Sequence, residues 1–395
     1  MDMTHLHQLF NAQTQEIEIS GIRLFDEKIA SIDGLIKLTL GQPDFPTPQH
    51  VKDAGIEAIK NNLSFYTGMA GELRLREAVA NFMKVKYNIS YDPQSEILST
   101  VGATEALAAS LLAILNPGDK VLIPSPFFSL YEPLVILGKA EPIYIDTTGN
   151  DFILSPEMIQ EAMSIHGDKV KAIILNYPTN PTGVTWNREE VIAIANTLKQ
   201  YPDVFAISDE IYSELVYEGN HISLGEYLFD QTIVINGLSK SHAMTGWRLG
   251  FTLAPKAITQ QIIKVHQYLV TSASSITQYA GIEALENGMD DALPMREEYK
   301  KRRDYIYEIM HRLGFEIAKP NGAFYIFAKI PEGHIQNSFD FCYDLAQKAK
   351  VGFIPGVAFG KAGEGFVRLS YASSMAEIEE AMHRLTKYME QHSVN

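Results

Sequence analysis

Lys240 is the residue whose type and setting most clearly suggest chemistry. It follows the apolar run Ile233-Val234-Ile235, which reads as a buried strand opening into a loop. Ser239 and Ser241 flank it, and Arg248 comes eight positions later. A lysine at the end of a buried strand loses hydration, so its pKa falls and its amine becomes a nucleophile. An arginine nearby offers two parallel donors to a phosphate. An isolated lysine in a turn is ordinarily solvated surface. The reading therefore depends on which other polar residues the fold brings to the same place.

Asn180 follows the apolar run 172–175, and Asp209 follows the run 205–208. From Asn180 to Asp209 to Lys240 the spacing is roughly thirty residues each time, the length of a strand–helix–strand unit. Groups so spaced project from the ends of successive parallel strands, where ligands collect in open α/β sheets. Val101-Gly102-Ala103-Thr104 opens the apolar helix expected at 105–115, and a helix start of small residues exposes N–H groups to an anion. Phe128 comes just after the strand expected at 121–124 and can lie against a heterocycle or pack in the core. Arg368 lies between apolar neighbours in Gly365-Phe366-Val367-Arg368-Leu369-Ser370, so it needs a partner, either a structural ion pair or a ligand carboxylate.

The elements that must position these groups follow from periodicity. Helices are expected at 51–61, 73–87, 258–269, 278–285, 296–313, 338–350 and 375–390, and strands at 35–40, 96–99, 324–327 and 366–370. A strand ending in Asp209 is expected to open a helix at Glu210, with Tyr212 one turn on. Gly41-Gln42-Pro43-Asp44-Phe45-Pro46-Thr47-Pro48 contains three prolines and reads as a rigid connector. With 395 residues the chain is too long for one core, so two unequal domains are expected. The division is an N-terminal arm with part of a small domain at 1–47, a large cofactor-binding domain at 48–295 and a small α+β domain at 296–395. The net charge of −15 argues against a nucleic-acid surface, and the single cysteine, Cys342, excludes an intrachain disulfide and fits a packed helix position. No apolar run is long enough to span a bilayer and no signal core precedes Ser20, so a cytoplasmic protein is expected, with no membrane partner. No metal-ligand pattern is read.

Gly237-Leu238-Ser239-Lys240 with Gly246-Trp247-Arg248-Leu249-Gly250 resembles the pyridoxal phosphate (PLP) attachment motif of class I aminotransferases. Asn176-Tyr177-Pro178-Thr179-Asn180-Pro181-Thr182-Gly183 resembles another specific mark of that family, and the pattern from Tyr66 to Arg76 matches a third loosely. The resemblance runs from Gly41 to Arg368 with every motif in order. It implies an α/β, fold-type-I, PLP-dependent enzyme with a mostly parallel central sheet, acting as a homodimer on an amino acid and a 2-oxo acid. It further implies that Lys240 carries PLP and serves as general base and acid. Gly102, Ala103, Thr104 and Arg248 would hold the phosphate, Ser239 would also contact the cofactor, Phe128 would cover the ring face, and Asp209 would meet the ring nitrogen. Asn180 and Tyr212 would reach the phenolic oxygen, and Tyr66 would cross the dimer interface to the partner's phosphate. Gly41, Asn180 and Arg368 would bind the substrate, with the Gly41 N–H and Arg368 at its carboxylate.

The fold does not fix the reaction, so a PLP-dependent β-C–S lyase is an alternative. A PLP-sensing transcription regulator would need a DNA-binding domain that about thirty acidic N-terminal residues cannot supply. Ile19-Ser20-Gly21-Ile22-Arg23 and Lys240-Ser241-His242-Ala243-Met244 look most like the bacterial group acting on N-acetyl-LL-diaminopimelate in lysine biosynthesis, with aromatic aminotransferases next. Aspartate-selective relatives place an arginine after the cofactor lysine to hold a distal carboxylate. Residues 265–278 contain neither arginine nor lysine.

Overall fold

Strands covered on both faces have no solvent side to alternate toward, so the uninterrupted apolar runs belong in the middle of a sheet. The computed structural model describes residues 9–392; the first eight residues of the N-terminal arm and the last three of the chain lie outside the described residues. The strands are β1 (Ile36–Lys37), β2 (Ile97–Val101), β3 (Lys120–Ser125), β4 (Glu141–Asp146), β5 (Val170–Asn176), β6 (Phe205–Asp209), β7 (Thr232–Gly237) and β8 (Leu249–Leu253). They continue with β9 (Glu316–Ile317), β10 (Tyr325–Lys329), β11 (Val351–Gly352), β12 (Ile354–Pro355) and β13 (Phe366–Ser370).

Seven strands form the central sheet in the order β2-β8-β7-β6-β5-β3-β4. From β7 to β4 every pairing is parallel, and β8 alone runs against its neighbours β7 and β2. Successive residues of each strand feed opposite layers. Val121, Ile123, Ile174 and Ile207 pack on the side of helices Gly102–Ile114 and Lys256–Val270. Leu122, Ile173, Leu175 and Ala206 pack on the side of helices Pro156–His166 and Arg188–Leu198. The latter helix starts in a reciprocal cap between Asn187 and Glu190, which fixes where β5's crossover turns back.

A second, antiparallel sheet, β12-β13-β10-β9, packs with helices Ser338–Ala349 and Met375–Gln391 around Phe324, Phe327, Phe341, Leu369 and Leu385. Phe25, Ile29 and Leu38 from the N-terminal part, and Ile211, Tyr212 and Leu215 from beyond β6, join this same cluster. Cys342 is buried in it and unpaired. The long helix Ala292–Arg312 begins earlier than the charge pattern suggests, since Ala292, Met295 and Tyr299 are buried on its inner face.

Two local expectations change. The strand read at 35–40 shortens to β1, because its backbone bonds are divided between two partners. Ile36 and Lys37 pair with β11, whereas the Leu38 carbonyl accepts from the Ser370 N–H. No helix starts at Glu210. The chain turns there instead, and the Glu210 carboxylate, fully buried, accepts from Ser208, Ser223 and the Leu224 N–H and faces His221 Nε2 at 2.9 Å.

Candidate active site

β5, β6 and β7 are adjacent and parallel, and their C-terminal ends deliver Asn180, Asp209 and Lys240 to one edge of the sheet. Lys240 lies not in an open loop but on a single helical turn, Leu238–Ser241, directly after β7. That turn is buried, with the Tyr212 and Phe324 rings each 5.6 Å from the amine. Burial, with the charges of Arg248 and Arg368, pushes the Lys240 amine down to about 8. Its Nζ donates to the Gly41 carbonyl at 2.5 Å. Gly41 thus meets the site through its carbonyl, and a side chain there would collide with the Tyr325 hydroxyl, 2.6 Å from the position of a Cβ.

Asp209 is buried at the end of β6, and desolvation pushes its carboxyl up to about 6. Two donors oppose that rise, the Tyr131 hydroxyl at 2.7 Å from Oδ2 and the Ile211 N–H at 3.4 Å from Oδ1. The carboxylate is therefore oriented and still ionises near neutral pH. Tyr131 is missing from the sequence reading; its only signal is a hydroxyl-tipped aromatic three residues after Phe128. Phe128 is half-buried, edge-on to Tyr131 at 5.8 Å.

Asn176, rather than Asn180, ties the turn after β5. Its Oδ1 accepts from the Asn180 N–H and its Nδ2 donates to the Asp209 carbonyl, both at 2.9 Å, so one side chain locks two strand ends together. The Asn180 side chain is left to accept from Arg368 through Oδ1 at 3.1 Å, which points its amide donors the other way. Arg368 also donates to the Thr39 carbonyl at 2.6 Å and lies over the rings of Tyr325 and Phe359. Its Nε is buried without a partner, and burial lowers its pKa. Tyr325 bonds the Tyr212 hydroxyl at 2.8 Å, and burial raises both phenols. Nothing in the sequence around Tyr325 or Thr39 indicates these contacts, because they are made between segments far apart in the chain.

At the other end, Arg248 lies in the left-handed region at φ 57, an uncommon conformation for a residue with a side chain. The turn brings its guanidinium against Gly102, which is itself at φ 75, and any Cβ on Gly102 would collide with it. Gly250 faces the Gly102–Ala103 backbone just as closely, again leaving no room for a side chain. Arg248 donates to the Thr245 carbonyl at 3.0 Å and reaches the exposed Thr104 hydroxyl at 3.5 Å. Ser239 is buried in the Lys240 turn. An open pocket of about 720 Å³ adjoins this end, lined by Val101, Arg248, Trp247, Thr47 and Ser274. Tyr66, expected to reach a partner's site rather than this one, is 87% exposed.

The connector 41–48 binds the parts together. Asp44 accepts two bonds from Arg302 Nη1, at 2.8 and 2.9 Å, and one from Tyr299, and Thr47 donates to the Ala243 carbonyl.

This arrangement has an amine of lowered pKa, a carboxylate and a glycine turn against an arginine at strand ends, and beside them a buried arginine with an unpartnered Nε. A model of the aminotransferase class I and II family matches residues 33–385. The chain belongs to that family. The aminotransferase is 50% identical to the probable N-acetyl-LL-diaminopimelate aminotransferase of Bacillus subtilis (strain 168), over 97% of this chain and 96% of that one. It is 39% identical to an aspartate aminotransferase of Pyrococcus abyssi, over 94% and 95% of the two chains. Among solved structures, the aromatic aminotransferase of Pyrococcus horikoshii superposes with a TM-score of 0.87 at 37% identity, covering 93% of this chain and 99% of that one. The α/β fold with a mixed, mostly parallel central sheet is that of these enzymes. Among the described residues of the aminotransferase, no helix is long and apolar enough to cross a membrane.

The residues present fit PLP. A Cβ would fill the cradle at Gly102, the Lys240 amine is already lowered toward its neutral form, and Arg368 keeps an unpartnered donor.

Proposed function

We propose that this aminotransferase uses PLP to move an amino group from a long polar L-amino acid to 2-oxoglutarate, with N-acetyl-LL-diaminopimelate as the donor. The observation that carries the reading is the buried Lys240 amine, pushed down to about 8 and set between the Asp209 and Arg368 ends of the site. Gly102, Ala103, Thr104 and Arg248 would hold the cofactor's phosphate, Ser239 would also contact the cofactor, and Phe128 would cover its ring face. Asp209 would meet its ring nitrogen, and Asn180 and Tyr212 its phenolic oxygen. When bound, PLP supplies an electron sink for the negative charge that develops at the substrate Cα.

The chain's own residues do the rest. Arg368, whose Nε is left without a partner, binds the substrate carboxylate, and the Asn180 and Thr39 contacts keep its guanidinium from swinging away. Lys240, as the neutral amine, takes the proton from the substrate Cα and returns it to the carbon on the far side of the transferred nitrogen, two bonds away. Asp209, held ionised by Tyr131 and Ile211, keeps the group it faces protonated. Approach of the small domain, the part beyond about residue 295 together with the arm before about residue 47, would exclude water around a substrate bridging both. Tyr66, exposed here with Phe65 and Tyr268, is available to a second copy of the chain, so a homodimer with shared sites is part of the proposal, as is a cytoplasmic location.

The donor preference is supported by the 50% identical relative and by the composition of residues 265–278, which lack a cation for a short diacid's distal carboxylate. A panel of N-acetyl-LL-diaminopimelate, phenylalanine, tyrosine and aspartate with 2-oxoglutarate tests it by kcat/KM. The acetylated donor is expected to lead. Aspartate leading by about tenfold, 1.4 kcal/mol, would defeat the reading. Release of pyruvate or ammonia without a 2-oxo acid acceptor would point to a lyase instead.

A further inference from the structure

We propose that His266 is a positioning residue for the anion-binding turn at Gly102, acting by keeping the buried Glu105 carboxylate from standing beside that turn as an uncompensated negative charge. The inference rests on the reading of Gly102, Thr104 and Arg248 as a phosphate site. Glu105 lies in the first turn of the helix Gly102–Ile114 and is 8% exposed. Its Oε2 accepts from the Val101 N–H at 2.7 Å, immediately before the anion-binding turn. A carboxylate there satisfies the positive end of the helix by itself and so competes with a bound phosphate for the same potential.

His266 removes that competition. Its side chain is fully buried, with Nδ1 2.8 Å from Glu105 Oε1 and Nε2 2.9 Å from the Met69 carbonyl. A carbonyl oxygen only accepts, so Nε2 carries a hydrogen. Oε1 and Nδ1 would both be acceptors unless a further proton lies between them, whichever atom holds it. Glu105 and His266 together are then a neutral unit, and the helix start keeps its positive potential for the ligand. The same imidazole reaches Met69, in the segment that carries Tyr66. That segment is otherwise held by Ser99 on the Ala70 carbonyl and by Gln278 on the Glu72 N–H and the Thr67 hydroxyl. One side chain therefore fixes the turn under the phosphate and the segment next to it.

The test measures binding of PLP and of pyridoxal, which lacks the phosphate, to the full-length chain by fluorescence titration. Glu105→Gln preserves every bond: its amide oxygen accepts from Val101, its amide nitrogen donates to a neutral Nδ1, and Nε2 still donates to Met69. It is expected to bind PLP within about threefold of the parent, whereas His266→Gln, which leaves a buried unpaired carboxylate, should weaken PLP at least about tenfold and pyridoxal far less. Adding Glu105→Gln to His266→Gln should recover most of the loss. Equal losses for PLP and pyridoxal, or a double variant as weak as His266→Gln, would overturn the proposal. If His266→Gln fails to fold, Glu105→Gln decides through competition by inorganic phosphate: retained competition supports the proposal and a tenfold loss sinks it. Arg248→Ala is run alongside. An unchanged PLP-to-pyridoxal ratio in that variant would remove the phosphate-site reading itself, and the role of His266 with it.

Discussion

Arg248 lies exposed at one end of the site, against a glycine whose missing side chain makes room for it, whereas Arg368 at the other end is 2% exposed and already bonded to Asn180 and the Thr39 carbonyl. The first end opens on a broad pocket and is built mostly from two short stretches, 101–104 and 239–250. The second is assembled from residues 39, 41, 180, 212, 325 and 368. A group that binds and leaves with every turnover benefits from a guanidinium fixed in advance, because little side-chain freedom is then lost at each binding event. A ligand that stays can be gripped by an exposed arginine and covered from outside. We expect the Arg368 end to control substrate and the Arg248 end to control cofactor retention.

The largest effect is expected at Lys240, which lies between the two ends. Lys240→Ala should lower transamination by at least about a thousandfold, the scale of a lost general base, while the chain still folds. In the parent stripped of cofactor, burial holds this amine at about 8, so the neutral, nucleophilic form grows as pH rises and is only roughly a tenth of the population at pH 7. The rate of PLP capture should climb through pH 8 and level off above it. A flat profile would contradict the burial argument.

Arg368→Lys comes next. A lysine cannot reproduce a planar fork, and loss of a buried, hydrogen-bonded charge contact costs about 3 kcal/mol, so kcat/KM for the donor should fall roughly a hundredfold with PLP still bound. Loss of PLP would erase the contrast between the two ends.

Tyr131→Phe should act more mildly, about tenfold at pH 7, since one hydrogen bond to a charged group contributes about 1.5 kcal/mol. Removing that donor lets burial push Asp209 above its present value of about 6. The acidic limb of the kcat/KM profile should therefore move to higher pH; a drop in rate without that movement would make Tyr131 merely structural.

The smallest effect is a control outside both ends. His50 bonds Glu283 and Asp291. Burial lowers its pKa, but the bonds to Asp291 and Glu283 outweigh it and leave the group raised above 6.5. Its stabilisation is complete below 6.5 and is lost as pH rises through the folded value. As the side chain is about a third exposed, the increment should stay below about 1 kcal/mol. Thermal melts of parent and His50→Asn should differ at pH 5.5 and converge at high pH, with neither end of the site affected.

The two ends also differ in how far they could be read in advance. Lys240, Arg248 and Gly102 sit in contiguous stretches whose local pattern carries their meaning, and the thirty-residue spacing of Asn180, Asp209 and Lys240 reflects a repeated strand–helix–strand unit. Tyr325, Thr39 and Tyr131 were not legible, because each contributes through a tertiary contact that no local period encodes. Glu210 was misread for the same reason: nothing beside it indicates that Ser223 and His221 will come to meet it. The single turn at Lys240 is too short to leave a helical pattern in sequence.

The connector 41–48 carries a consequence for how such a chain can vary. Surface connections usually absorb insertions and deletions freely. This one holds the Lys240 amine through the Gly41 carbonyl at its start, Arg302 through Asp44 in its middle and the Ala243 carbonyl through Thr47 near its end. Three anchors within seven residues leave no slack, so adding or removing one residue there shifts a carbonyl that the Lys240 amine touches. Length should be invariant in this short, half-buried stretch even where its residue types drift, and an engineered insertion library should be depleted at these positions relative to the turn at 148–151.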